Sequence, residues 1–154
     1  MTRPALIFWG GWEGHEPQAC AARLSDILTQ DGFAVDSRPG TDVLTQDDLG
    51  RFDLIVPMMT QAEVTSDALT NLIAAVEAGT GLAGFHGGMG DTFRAQPSYQ
   101  FVTGGQWVAH PGDFLDYRVQ ITTPDDPIMQ GVGDFDYHSE QYYLHVDPGI
   151  EVLA

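Results

Sequence analysis

The sequence predicts an α/β fold with a doubly wound, mostly parallel sheet. Three observations predict it. Continuous apolar runs recur at 5–9 (ALIFW), 53–58 (DLIVPM) and 81–85 (GLAGF), as expected of strands covered on both faces. Stretches between them place apolar residues at helical spacing. The resulting order is strand, helix, strand, turn, strand, helix, strand, the rhythm of a parallel sheet with crossover helices.

The elements follow in order. Residues 5–9 read as a buried strand closed by Gly10 and Gly11. Pro17 suits the first turn of a helix. Cys20, Leu24, Ile27 and Leu28 then share one helical face, which marks Cys20 as a small buried core residue. Asp31 and Gly32 stop that helix, and 33–35 begins a second strand. Thr45 is placed to cap a short turn of helix through Asp47 and Asp48. After the strand at 53–58, Thr65 or Ser66 opens a helix with the stripe Leu69, Leu72, Ile73 and Val76, ended by Gly79. A fourth strand at 81–85 runs into His86, Gly87 and Gly88. Later, 115–122 alternates as a half-exposed strand, and 135–137 and 141–146 read as further strands. The apolar run at 150–154 reads as part of another strand, so the expectation is one domain over 1–154, truncated at its C-terminal end.

With 154 residues the chain suits a single domain. It carries 22 acidic and 6 basic residues, a net charge of −16. Such a surface repels phosphate backbones and anionic lipid, which argues against nucleic-acid and membrane partners. Cys20 stands alone, so an internal disulfide and a Cys-based zinc site are both excluded. The first apolar run is too short for a signal peptide and no stretch reaches membrane-span length; a cytoplasmic location is the default expectation.

Chemistry is expected beyond the carboxyl ends of the strands. One loop there holds Trp12, Glu13, Gly14 and His15; another holds 86–91, HGGMGD. Glycines allow sharp turns and close approach to a ligand; both loops are equally readable as plain strand-to-helix turns. The second has the form G-x-H-x-G at 84–88 after a buried strand. That is the frame of a nucleophile elbow with His86 in the nucleophile's place. A histidine there suits a general base, a hydrogen-bond donor to a sugar or a metal ligand; a structural role is the competing reading. In an extended strand His138 and Glu140 point to one face, a His–carboxylate pair suited to acid–base work, to ligation of a divalent ion, or simply to a polar strand edge. Trp12, Trp107, Tyr142 and Tyr143 are aromatic residues beside polar groups, as carbohydrate sites require, although single aromatic residues more often belong to the core.

Four segments together resemble the ThuA-like family, which takes its name from trehalose utilisation: GGWEGHEP at 10–17, GLAGFHGGMGDTFR at 81–94, YQFVTGGQWVAHPG at 99–112 and DFDYHSEQYYLHVDP at 134–148. The resemblance spans nearly the whole chain. It implies a flavodoxin-like, three-layer fold similar to class I glutamine amidotransferases, without their cysteine. It implies sugar utilisation, in some members the metabolism of 3-keto sugars and their glycosides. Carried over by position, His15, His86, His110, His138 and Glu140 are its polar pocket candidates.

The expected function is therefore carbohydrate processing by elimination or hydrolysis, without a cysteine nucleophile. His86, His138 and Glu140 are the expected catalytic groups, acting alone or around a divalent metal ion. Trp12, Glu13, His15, Gly87, Gly88, Trp107, His110 and Tyr142 are the expected substrate-binding residues. The rival reading is a non-catalytic carbohydrate-binding or regulatory module; a homo-oligomer is compatible with both. Loop 10–16 and His86 are expected to face each other across one crevice, on the view that the first and fourth strands are neighbours.

Overall fold

The computed structural model describes residues 2–154. They form two compact units, the first ending at Thr103 and the second running Gly104–Ala154.

The first unit holds the parallel sheet. Its strands are β1 (Arg3–Gly11), β2 (Phe33–Pro39), β3 (Leu54–Thr60) and β4 (Gly81–Leu82), in the spatial order β2-β1-β3-β4. All neighbours are parallel. The three apolar runs are thus strands of one sheet, as predicted. The continuous burial of Ala5, Leu6, Ile7 and Phe8 has a simple cause: alternate side chains enter opposite layers. Leu6 and Phe8 join Leu44, Phe52, Ile55, Leu69, Leu72 and Phe93 on one face. Ile7 joins Ala21, Val56 and Met58 on the other, with Leu24 and Leu28 packed against them.

Helix α1 (Pro17–Gln30) covers that second face, starting with proline as predicted. On the first face lie α2 (Val43–Gln46), α3 (Ser66–Glu77) and, after the short α4 (Gly87–Gly90), α5 (Pro97–Thr103). Thr65 caps α3 by accepting from the Ala68 amide at 3.3 Å.

The structure corrects several local expectations. Thr45 lies inside α2, where its hydroxyl donates back to the Asp42 carbonyl; the side-chain cap of this region is Asp48, which accepts from Gly50. The fourth strand is only two residues long, because the chain peels away toward the elbow after one more bond, from Ala83 N–H to the Ile55 carbonyl. Strand β3 lies between β1 and β4, so the first and fourth strands are not neighbours. Cys20 is half-buried, at the rim of the layer packed against the second face.

The second unit contains β5 (Gly105–Ala109), β6 (Phe114–Val119), β7 (Phe135–Glu140) and β8 (Tyr143–Val146). β5 pairs antiparallel with β8, with a register shift between Trp107 and Ala109. β6 pairs antiparallel with β7. The strand expected over 115–122 stops at Val119, and the Ile121 amide donates to Asp134 instead of extending the ladder. Thr122 is tied to the carbonyls of Val152 and Leu153.

Candidate functional site

In a sheet of order β2-β1-β3-β4, the direction of winding reverses between β1 and β3, and ligands favour the carboxyl edge at that point. The first unit collects its histidines there. After β1 the chain makes a one-turn 3-10 helix, Glu13–His15, with Trp12 before it. The Trp12 amide donates to the carbonyl of Thr60, the last residue of β3. Gly11 makes this approach possible, because its φ of +80° and the adjoining Thr60 backbone leave no room for a Cβ.

Thr60 is 5% exposed. Its hydroxyl and His15 Nδ1 share a 3.0 Å hydrogen bond, which either atom can donate according to the imidazole tautomer. The bond sets the orientation of the ring. The His15 ring meets the His86 ring edge-on at a centroid distance of 4.8 Å, and Trp12 meets His15 in the same manner at 4.6 Å. Trp12 keeps 58% of its surface exposed, leaving a ring face for a ligand.

His86 has φ +56° and ψ −149°, in a backbone region nearly confined to glycine. This is the strained turn that an elbow requires, and it leaves His86 exposed above the sheet edge. A Cβ on Gly87 would lie 2.8 Å from His15 Cε1 and 3.1 Å from Thr60 Cγ2, so only glycine lets the elbow close on these side chains. Gly88 rests against the β3 backbone at Pro57 and Met58, and its carbonyl accepts from Thr92. Glu13 is exposed in the 3-10 turn.

A buried network holds the loops after β3 and β4. Asp91, 4% exposed, accepts from Arg94 Nε and Nη2 at 2.7 and 2.8 Å and from Gln61 Nε2 at 2.9 Å. Main-chain bonds from Gln61 to Asp91 and from Ala62 to Thr92 run alongside. Sequence reasoning missed Thr60, Gln61 and Arg94. The signal for the last was the Asp91-x-x-Arg94 spacing, which suits a forked carboxylate–guanidinium pair.

The second unit gathers another set. Trp107, His110 and Tyr142 form a mutual ring cluster with centroids 5.7, 5.8 and 6.4 Å apart. His110 Nε2 lies 3.6 Å from Glu140 Oε1, and Nδ1 lies 3.6 Å from Asp113 Oδ1. His138 and Glu140 alternate onto one face of β7, but His138 takes Asp116 as its carboxylate, at 2.7 Å. It also stacks on Phe114 at 6.3 Å. Among the described residues, no group of three His, Cys, Asp or Glu side chains converges as a metal site requires.

Residues 4–154 match the ThuA family, described as trehalose utilisation. The chain belongs to the ThuA family. That family description concerns a sugar, and the first unit places rings beside polar groups at the sheet edge. No curated protein matches it. A ThuA-like protein from Bacteroides uniformis ATCC 8492 matches in structure with a TM-score of 0.74 at 20% identity, over 91% of this chain and 60% of that one. That likeness supports the flavodoxin-like, amidotransferase-like fold of this ThuA chain, which spans about 60% of the length of that relative. No helix among the described residues is long and apolar enough to cross a membrane.

Proposed function

We propose that the chain binds a sugar or 3-keto-glycoside at the carboxyl edge of β1 and β3 and processes it by acid–base elimination. The observation that carries this reading is the His15–His86 pair, one ring oriented by Thr60 and the other raised on a strained elbow.

A ketone acidifies the C–H bond beside it, so a positioned base can remove that proton without a covalent protein intermediate. His86 takes the proton from carbon. The C–H electron pair moves into the enolate, and the carbon–oxygen bond β to the carbonyl breaks. His15 gives a proton to the departing oxygen and is restored by the proton that His86 received, relayed through solvent. Trp12 offers a flat apolar face for the sugar ring. In the second unit, His110 with Glu140 and His138 with Asp116 are acid–base pairs of the same type, and Trp107 and Tyr142 offer a further sugar-binding surface.

The test is incubation with a 3-keto-glucoside and detection of the released leaving group. Release that disappears in His86→Ala and His15→Ala supports the reading. The ring cluster of Trp107, His110 and Tyr142 favours a second reading, a carbohydrate-binding module without turnover. Saturable binding with no product, lost on Trp107→Ala and kept in His86→Ala, would establish that reading instead.

A further inference from the structure

The two faces of the parallel sheet are covered unequally. Among the described residues of the first unit, three helices pack on one, whereas α1 is the one helix packed on the other, against β1, β2 and β3. Four strands span about 14 Å between the outer axes, and one helix covers about 10 Å. Beside α1 an open groove of about 330 Å³ remains, lined by Ala19, Cys20, Arg23, Leu24, Ile27 and Phe85. Ile27 is 43% exposed and Phe85 55% exposed. Exposed apolar surface of this kind marks an interaction face.

The charges at this groove are self-complementary. Arg38, Arg51, Arg94 and Arg118 each pair with an aspartate, and Arg3 donates to the Asp31 carbonyl and lies over the Phe33 ring. Arg23 has no such partner among the described residues, and neither has Asp26, three residues further on the same flank of α1. In two antiparallel helices related by a two-fold axis, like flanks meet. Each Arg23 then lies opposite Asp26 of the other copy, while Leu24, Ile27 and Phe85 form the apolar seam.

We propose that this groove is the interface of a two-fold dimer in which α1 packs against α1 of a second copy. Each copy carries a net charge of −16, so long-range repulsion opposes association and salt screens it. Dimerisation therefore tightens as salt rises.

The test is sedimentation equilibrium of the full chain over a wide concentration range, at about 0.15 M and about 1 M NaCl. The expected result is a species of twice 16.7 kDa, favoured at the higher salt. Ile27→Glu should raise the dissociation constant about tenfold or more, with an unchanged circular dichroism spectrum. Arg23→Asp should also weaken the dimer, and adding Asp26→Arg should return the constant toward the parent value. A monomer at every concentration and both salt levels overturns the proposal. So does a dimer insensitive to Ile27→Glu and to the charge swap, since the copies then meet elsewhere.

Discussion

Replacing His86 by glycine is expected to leave a more stable protein than replacing it by alanine, the reverse of the usual order. The backbone at His86 has φ +56° and ψ −149°, and holding a side chain in such a region costs about 1–3 kcal/mol. Alanine keeps that strain because it keeps the Cβ. Glycine removes it, and gives back about 0.5–1 kcal/mol through the greater freedom of the unfolded chain. Both variants lose the edge contact with His15, so that loss cancels in the comparison. Taking mid-range values, glycine should therefore exceed alanine by about 1 kcal/mol, within bounds of about 0 and 2.5. At about 2–4 °C per kcal/mol for a chain of this size, the melting temperatures should differ by about 2–4 °C. Urea titration followed by circular dichroism reads the difference directly, provided the two slopes agree. Alanine equal to or above glycine would refute the claim that the elbow is strained. Both variants should lose turnover, which separates the role of the ring from the shape of the turn.

Thr60→Val keeps the shape of the buried side chain and removes the group that orients His15; stability should fall by about 1 kcal/mol, and sugar binding followed by calorimetry should weaken, whereas Thr60→Ser should retain it. Asp91→Asn breaks the fork to Arg94; because Arg94 is 43% exposed, the expected loss in urea titrations is about 1–3 kcal/mol, below that of a fully buried pair. Burial, opposed in part by the Thr92 hydroxyl, pushes the Tyr99 phenol up to about 12. The folded protein thus favours the neutral phenol, a contribution of about 2–3 kcal/mol that is complete below pH ~10 and lost as the pH rises to ~12. Tyr99→Phe should flatten that decline in a series of urea midpoints across this range.

The strands and long helices were legible because their causes are local. A strand covered on both faces must be apolar throughout, and 5–9 and 54–58 are. Proline at the start of α1 and Thr65 before α3 act through the first turn of their own helices. The elbow was legible as glycines around His86. Helix α5 was hidden because Tyr99 is buried while Phe101, two residues on, is 76% exposed, leaving no clean stripe. The strand order was hidden because it depends on which side of β1 the third strand adds to. The partner of His138 depends on a register between β6 and β7 that joins residues 22 apart, and no short window of sequence contains both. Thr60 lies two residues beyond the strand end expected at 58; its significance arises only when β1 and β3 lie side by side.

The loops around His15 and His86 are joined chiefly by their main chains. Trp12 bonds to Thr60, Gln61 to Asp91 and Ala62 to Thr92 through backbone N–H and carbonyl groups, which every residue except proline possesses in full. These bonds hold the rim of the sheet without calling on the exposed side chains of Trp12 and His86, whereas Gly11, Gly87 and Asp91 are fixed by the contacts they make. Trp12 and His86 can be exchanged for other side chains while the rim keeps its outline, so the surface presented there can diverge without rebuilding the scaffold. Selection on substrate and selection on foldability then act on largely separate sets of atoms.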